Sequence, residues 1–184
     1  WLVIAAPFAA WFGVQFAART YPQVAFALDR YKISMPLVGP ILKKIILSRF
    51  ASSFAMMYAS GITVLDAIRS SEEIVGNKPL ENALRTAGQQ IAEGKKLWET
   101  HNCIGCHTLL GEGAYFAPEL GNVVVRYGDE GTKAFIQSRP KEGVPGRRSM
   151  PQFNFTDEQL NAIVAFLKHV NSINTNNWPP NSQG

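Results

Sequence analysis

Two cysteines are all that the 184 residues contain. That is too few for a disulfide framework or for a four-cysteine zinc site. Initiator methionine is missing, and so is any signal peptide with a basic start and a small-residue cleavage site. With Trp at position 1, a trimmed start is expected. Charge is modest, a formal +4, and the basic residues are not interleaved with aromatics, so no nucleic-acid partner is expected. Histidine, cysteine, a phosphate-binding loop and close acidic clusters are all lacking from residues 1–93, which excludes a catalytic constellation there. Hydrophobic residues make up 46% of the chain, enough for a core in at least part of it, and the length admits one or two small domains.

Both cysteines fall in one pentapeptide, CIGCH, from Cys103 to His107. Two cysteines three apart with a histidine after the second form the attachment signature of a c-type haem. Each thiol can add to one vinyl group of the porphyrin, with both sulfurs facing one macrocycle edge. His107 then stands under the iron as the proximal ligand. A structural zinc site would need two further ligands and finds no second cysteine pair. A thioredoxin-like redox pair would need a βαβ context, which is not visible around Cys103. A disulfide between Cys103 and Cys106 would leave His107 unexplained.

The flanking sequence is helical. Residues 94–102 read as a helix leading into the motif, with Gly94 and Trp98 one turn apart on the same face. Thr156 and Gln159 form a capping box. After it, Leu160, Ile163, Val164, Leu167 and Val170 recur at the spacing of a buried helical stripe. Gly94 and Trp98 are expected to cross this last helix at Phe166 or Leu167. For the sixth position on iron, Met150 is the one methionine after Met57. It precedes Pro151, which restrains the backbone and cannot continue a helix. A thioether ligand raises the haem potential, and filling both axial positions favours electron transfer over small-molecule binding. His169 is the rival ligand, on the polar side of the last helix; His101 is too close to the motif to reach the opposite haem face. Arg147 and Arg148, beside Met150, suit either the haem propionates or a solvated docking patch, since guanidinium matches carboxylate geometry.

The first half reads differently. Residues 1–18 carry no charged side chain and are long enough to be a candidate membrane span of about 20 residues, although Pro7, Gly13 and Gln15 interrupt them. Arg19, Arg30, Lys32, Lys43, Lys44 and Arg49 then face only Asp29, an excess that marks the cytoplasmic flank of a span. From Ile41 to Ala59 apolar positions recur at helical spacing. Ser60-Gly61 stops that helix, Thr63 caps the next with Asp66 in its first turn, and Gly76-Asn77 ends it. Pro79 opens a further helix to about Glu93, so residues 19–93 make a small helical bundle. Met56 and Met57 fit core packing.

Two resemblances follow. PLVGP (36–40), RFASSFAMMYASGITVLDAI (49–68) and VGN (75–77) resemble the cytoplasmic repeat of inner-membrane platform proteins of type II secretion and type IV pilus assembly. This covers about residues 1–94 and implies a helical domain that binds other assembly proteins. CIGCHTLLGEGAYFAPELGNV (103–123), PGRRSMPQF (145–153) and NTNNWPP (174–180) resemble the cytochrome c subunit of bacterial nitric oxide reductase. This covers about residues 94–184. It implies a periplasmic, class I-type mono-haem cytochrome c domain on one membrane anchor, with one covalent haem c. Cys103 and Cys106 would form the thioethers, and His107 and Met150 would bind iron. Its partners would be a soluble donor, a small cytochrome c or cupredoxin, and a haem-b-bearing catalytic membrane subunit that converts NO to N2O. The chain would then be an electron-transfer subunit, not catalytic on its own.

The overall expectation is an all-α chain: a helix over 1–18, a bundle over 19–93 and the cytochrome c domain over 94–184. Haem attachment belongs to the periplasm, whereas the basic flank points to the cytoplasm, and no second span precedes Cys103. The chain therefore reads as a fusion, engineered or mis-joined, with its seam at Glu93–Leu97. The alternative function is a scaffold piece of a secretion or pilus platform with the haem domain as passenger.

Overall fold

The computed structural model of the chain describes residues 1–176, apart from the side chains of residues 2–4. The part of the NTNNWPP motif from residue 177 on lies outside them. The chain divides into two compact units, Trp1–Gly88 and the residues from Gln89 on.

The first unit holds α1 (Leu2–Thr20), α2 (Pro22–Ser34), α3 (Gly39–Ala59), α4 (Val64–Val75) and the opening turns of α5 (Lys78–Thr100). Helix α2, which the sequence reading did not assign, starts with Pro22 in its first turn, where a missing N–H costs nothing. Thr63 caps α4 by accepting from the Asp66 N–H at 3.3 Å, and Gly76 closes it in the left-handed conformation, φ 59°. Ala67, Ile68, Ser71 and Val75 form the buried stripe of α4. The turn between α4 and α5 is tied back to α2. Buried Asn77 donates to the Asp29 carbonyl at 3.5 Å and accepts from the Leu80 N–H at 3.3 Å, while the Asp29 carboxylate accepts from the Lys78 N–H at 3.1 Å.

Helix α1 occupies the stretch expected to span a membrane. Phe8, Trp11, Phe12 and Phe16 on it are exposed, yet among the described residues no helix is long and apolar enough to cross a membrane. Helix α3 confirms the helical spacing: Leu42, Ile46, Phe50, Phe54 and Met57 are half-buried along it, whereas Ile41, Ile45 and Tyr58 are exposed, as is Met56, which was expected to pack in a core.

The second unit continues α5 into a short 3-10 turn at Cys103–Gly105. It adds β1 (Thr108–Leu109), β2 (Glu112–Gly113), α6 (Val123–Gln137) and α7 (Asp157–Asn171). The expected helix break near Glu93 is not there: α5 runs unbroken to Thr100. Gly94 is the crossing point expected of it, because a Cβ there would collide with the Ala162 carbonyl and with the Phe166 side chain of α7. Trp98 packs at the same crossing, its ring 6.2 Å from that of Phe166. Around it lie Leu97, Val123, Ile136, Leu160, Ile163, Leu167 and Val170, the core of this unit. The capping box of α7 is formed in both directions, Gln159 N–H to Thr156 Oγ1 at 3.3 Å and Thr156 N–H to Gln159 Oε1 at 3.0 Å.

An all-α chain is corrected in one detail by the β1–β2 hairpin, registered Thr108 against Gly113 and Leu109 against Glu112. Its two loop residues, Leu110 and Gly111, both have positive φ, 54° and 84°, as the tightest hairpin turns require. Helix α6 was also not foreseen. Gly128, at φ 70° and ψ 175°, kinks it and breaks its periodicity.

Candidate haem site

The motif cysteines and histidine sit where α5 ends. Asn102, at φ 52°, turns the chain out of the helix, and the Cys103–Gly105 turn follows. The Cys106 and His107 N–H groups both donate back to the Cys103 carbonyl, at 3.1 and 3.0 Å. Gly113 on β2 packs so closely that a Cβ would strike the His107 carbonyl and the Ile104 side chain. Cys103 and Cys106 form no disulfide with each other. Burial, helped by nearby Cys106, pushes the Cys103 thiol up to about 11, although a backbone hydrogen bond pulls the other way.

His107 is oriented by its own ring. Its Nδ1 lies 2.7 Å from the Pro118 carbonyl oxygen. A carbonyl only accepts, so Nδ1 carries the hydrogen and Nε2 keeps its lone pair for a metal.

Cys103, His107 and Met150, separated by up to 47 positions in sequence, line one apolar cleft of about 230 Å³. Its walls include Pro118, Leu120, Ile163 and Leu167, with α6 supplying Arg126, Tyr127, Phe135 and Ile136. Met150 is half-buried against the core cluster. Cys106 is half-buried in the same turn but does not line the cleft. The lining fits a haem: apolar walls, a thiol, an imidazole lone pair and a thioether meet in one cleft. It also fits the group's acidic edge, because Arg126 lines it with its Nε buried and without a hydrogen-bond partner. Its Nη2 donates to the Glu119 carbonyl at 3.0 Å.

The other residues singled out in the sequence lie elsewhere. Arg148 stacks over the Phe116 ring at 4.3 Å and reaches the Gly105 carbonyl at 3.4 Å; Arg147 is exposed, and neither lines the cleft. His169 is half-buried on α7 and also outside it, its pKa lowered by burial. His101 bonds the Leu97 carbonyl through Nδ1 at 3.0 Å and meets Phe153 and Phe155 edge-on. Arg126, and Arg139, which also lines the cleft, were not expected from the sequence. A basic residue beside an aromatic, as in Arg126-Tyr127, is too common to be a signal until a fold turns it inward.

The cytochrome c family model matches residues 91–171. The C subunit of nitric oxide reductase from Stutzerimonas stutzeri is 55% identical over 100 residues, 52% of this chain and 68% of that protein. Its counterpart from Paracoccus denitrificans is 52% identical over 102 residues, 51% of this chain and 67% of that protein. The other part of the chain is similar to type IV pilus assembly protein PilC of Myxococcus xanthus, 35% identical over 69 residues, 38% of this chain but 16% of that protein. With a haem-binding cleft and relatives covered over two thirds of their length, the chain belongs to the family of nitric oxide reductase C subunits and carries one covalent haem c.

Proposed function

We propose that this chain is a mono-haem electron relay serving a nitric oxide reductase, and that Cys103 and Cys106 hold the porphyrin by thioethers. His107 and Met150 would hold the iron in this reading. Haem c supplies reversible one-electron chemistry at its iron. The protein's own contribution is to hold it. His107 would offer Nε2 because the Pro118 carbonyl holds Nδ1, Met150 would supply a thioether to the iron, and the apolar walls would keep water from it. Arg126 is the group that fits a propionate, since a carboxylate would satisfy its orphaned Nε. Arg147 and Arg148, outside the cleft, suit the docking-patch role better than the propionate role.

The observation that carries this reading is the convergence of Cys103, His107 and Met150 on one cleft. The expected partners are a haem-b-bearing catalytic membrane subunit and a soluble donor, a small cytochrome c or cupredoxin. The haem unit then lies in the periplasm at the inner membrane, and the domain layout is a helix over 1–18, a bundle over 19–93 and the cytochrome c domain over 94–184. The test is spectroscopic. The reduced protein is expected to show a c-type α band that survives acid–acetone extraction, and the oxidised protein a Met-to-iron charge-transfer band. Met150→Ala is expected to abolish that band and lower the potential; an unchanged spectrum rules Met150 out.

The likeness of the first unit to a pilus assembly protein supports a second reading, a platform scaffold with the haem unit as passenger. Co-purification of a catalytic reductase subunit distinguishes the two: its presence supports the relay, and pilus components in its place support the scaffold.

A further inference from the structure

Residues 117–121 form a strap that is fastened to the haem-attachment loop at successive positions. The Ala117 N–H donates to the Cys106 carbonyl at 2.9 Å and the Leu120 N–H to the Thr108 carbonyl at 3.1 Å. Between them the Pro118 carbonyl meets His107 Nδ1. The half-buried Glu119 carboxylate uses both oxygens. Oε1 accepts from the Leu110 N–H at 2.9 Å and Oε2 from the Gly121 N–H at 2.7 Å. It therefore bridges the tip of the β1–β2 hairpin to the strap itself. Leu110 holds φ 54°, a left-handed conformation that strains a residue with a Cβ. Such strain persists only where surrounding contacts over-determine it, and the Glu119 carboxylate is the side chain that holds the Leu110 N–H.

We propose that Glu119 is a positioning residue for the proximal ligand, its bidentate grip on Leu110 and Gly121 holding the Pro118 carbonyl against His107 Nδ1 and so setting the donor strength of Nε2. A firm acceptor on the far nitrogen of a ligating histidine fixes the tautomer and raises ligand basicity. A more basic imidazole stabilises ferric iron, so loosening the strap raises the reduction potential. The inference rests on the haem reading above.

Glu119→Gln keeps the shape of the side chain but puts an amide NH2 against one of the two N–H donors. In the full-length haem protein, the His107 Nδ1–H is expected to exchange with solvent about tenfold faster by NMR. The potential should rise by a comparable tenfold shift in the oxidised-to-reduced ratio, about 59 mV for one electron. The Met-to-iron band and the exchange of α7 amides should stay as in the wild type. Wild-type exchange and potential in the folded variant overturn the proposal. So does a change in both that comes with loosened α7 amides, which marks a merely structural role. If Glu119→Gln does not accumulate folded, Glu119→Asp, whose shorter arm reaches one amide, is judged by the same two readouts. A wild-type chain without covalent pigment defeats the haem reading alone. Nitrogen shifts of His107 in that haem-free chain still decide the proposal: a pure Nδ1–H tautomer in wild type and a mixture in the variant support it, and identical tautomers overturn it.

Discussion

His169 sits half-buried near the end of α7, and burial holds its pKa below the ordinary histidine value of 6.5. The unfolded chain therefore takes up this proton more readily than the folded one. Stability from this residue is complete above the unfolded value and is lost as the pH falls from about 6.5 through the folded value. The melting temperature of the haem unit is expected to decline over that interval. His169→Gln should flatten the decline, and an identical pH profile in the variant would contradict the assignment. At this same scale, the roles proposed for Cys103, Cys106 and His107 come from five consecutive letters, because thioether attachment constrains local spacing, and the role proposed for Met150 comes from elimination. The structure adds that Cys103, His107 and Met150 line one cleft. Arg126 and Glu119 were not legible in the sequence, since what distinguishes them is an unpartnered Nε and a two-amide grip that exist only after folding.

The α5–α7 crossing is governed by the element's one missing side chain. Gly94 lies in the interior of α5, where glycine costs about 1 kcal/mol relative to alanine in helix propensity. Gly94→Ala gains that propensity but drives a methyl into the Ala162 carbonyl and Phe166. Overpacking of this kind typically costs about 1–3 kcal/mol, so the substitution is expected to be destabilising on balance. Urea unfolding monitored at Trp98 measures it, and a stabilised variant would show that the helices can move apart. Helix α7 was readable in full because a capping box and a regular apolar stripe agree. The hairpin and α6 were not. Two residues per strand are too short for alternation to register, and the Gly128 kink divides α6 into pieces shorter than a reliable periodic window.

Across the whole molecule the two units hold separate cores: Ala67, Ile68 and Val75 in the first, the cluster around Leu160 and Leu167 in the second. The unit boundary at Gly88/Gln89 falls inside continuous α5, a few residues before the seam expected at Glu93–Leu97. Every residue lining the haem cleft comes from position 103 or later. A fragment beginning at Lys78, which keeps α5 entire, is therefore expected to attach haem and reproduce the absorption spectrum and potential of the full chain. A shifted potential in that fragment would mean that residues 1–77 act on the cleft.

Covalent chemistry was written in the order of the residues. Thiol spacing, the adjacent imidazole, helix caps and apolar periodicity are short-range properties, and each predicted its own element. Tertiary structure alone decided which distant groups share an environment: which arginine turns its Nε inward beside the cleft, which carbonyl holds the His107 ring, and which carboxylate ties the hairpin tip to the strap. Those are matters of desolvation and close approach between segments far apart in the chain, and a linear pattern carries no record of distance through space.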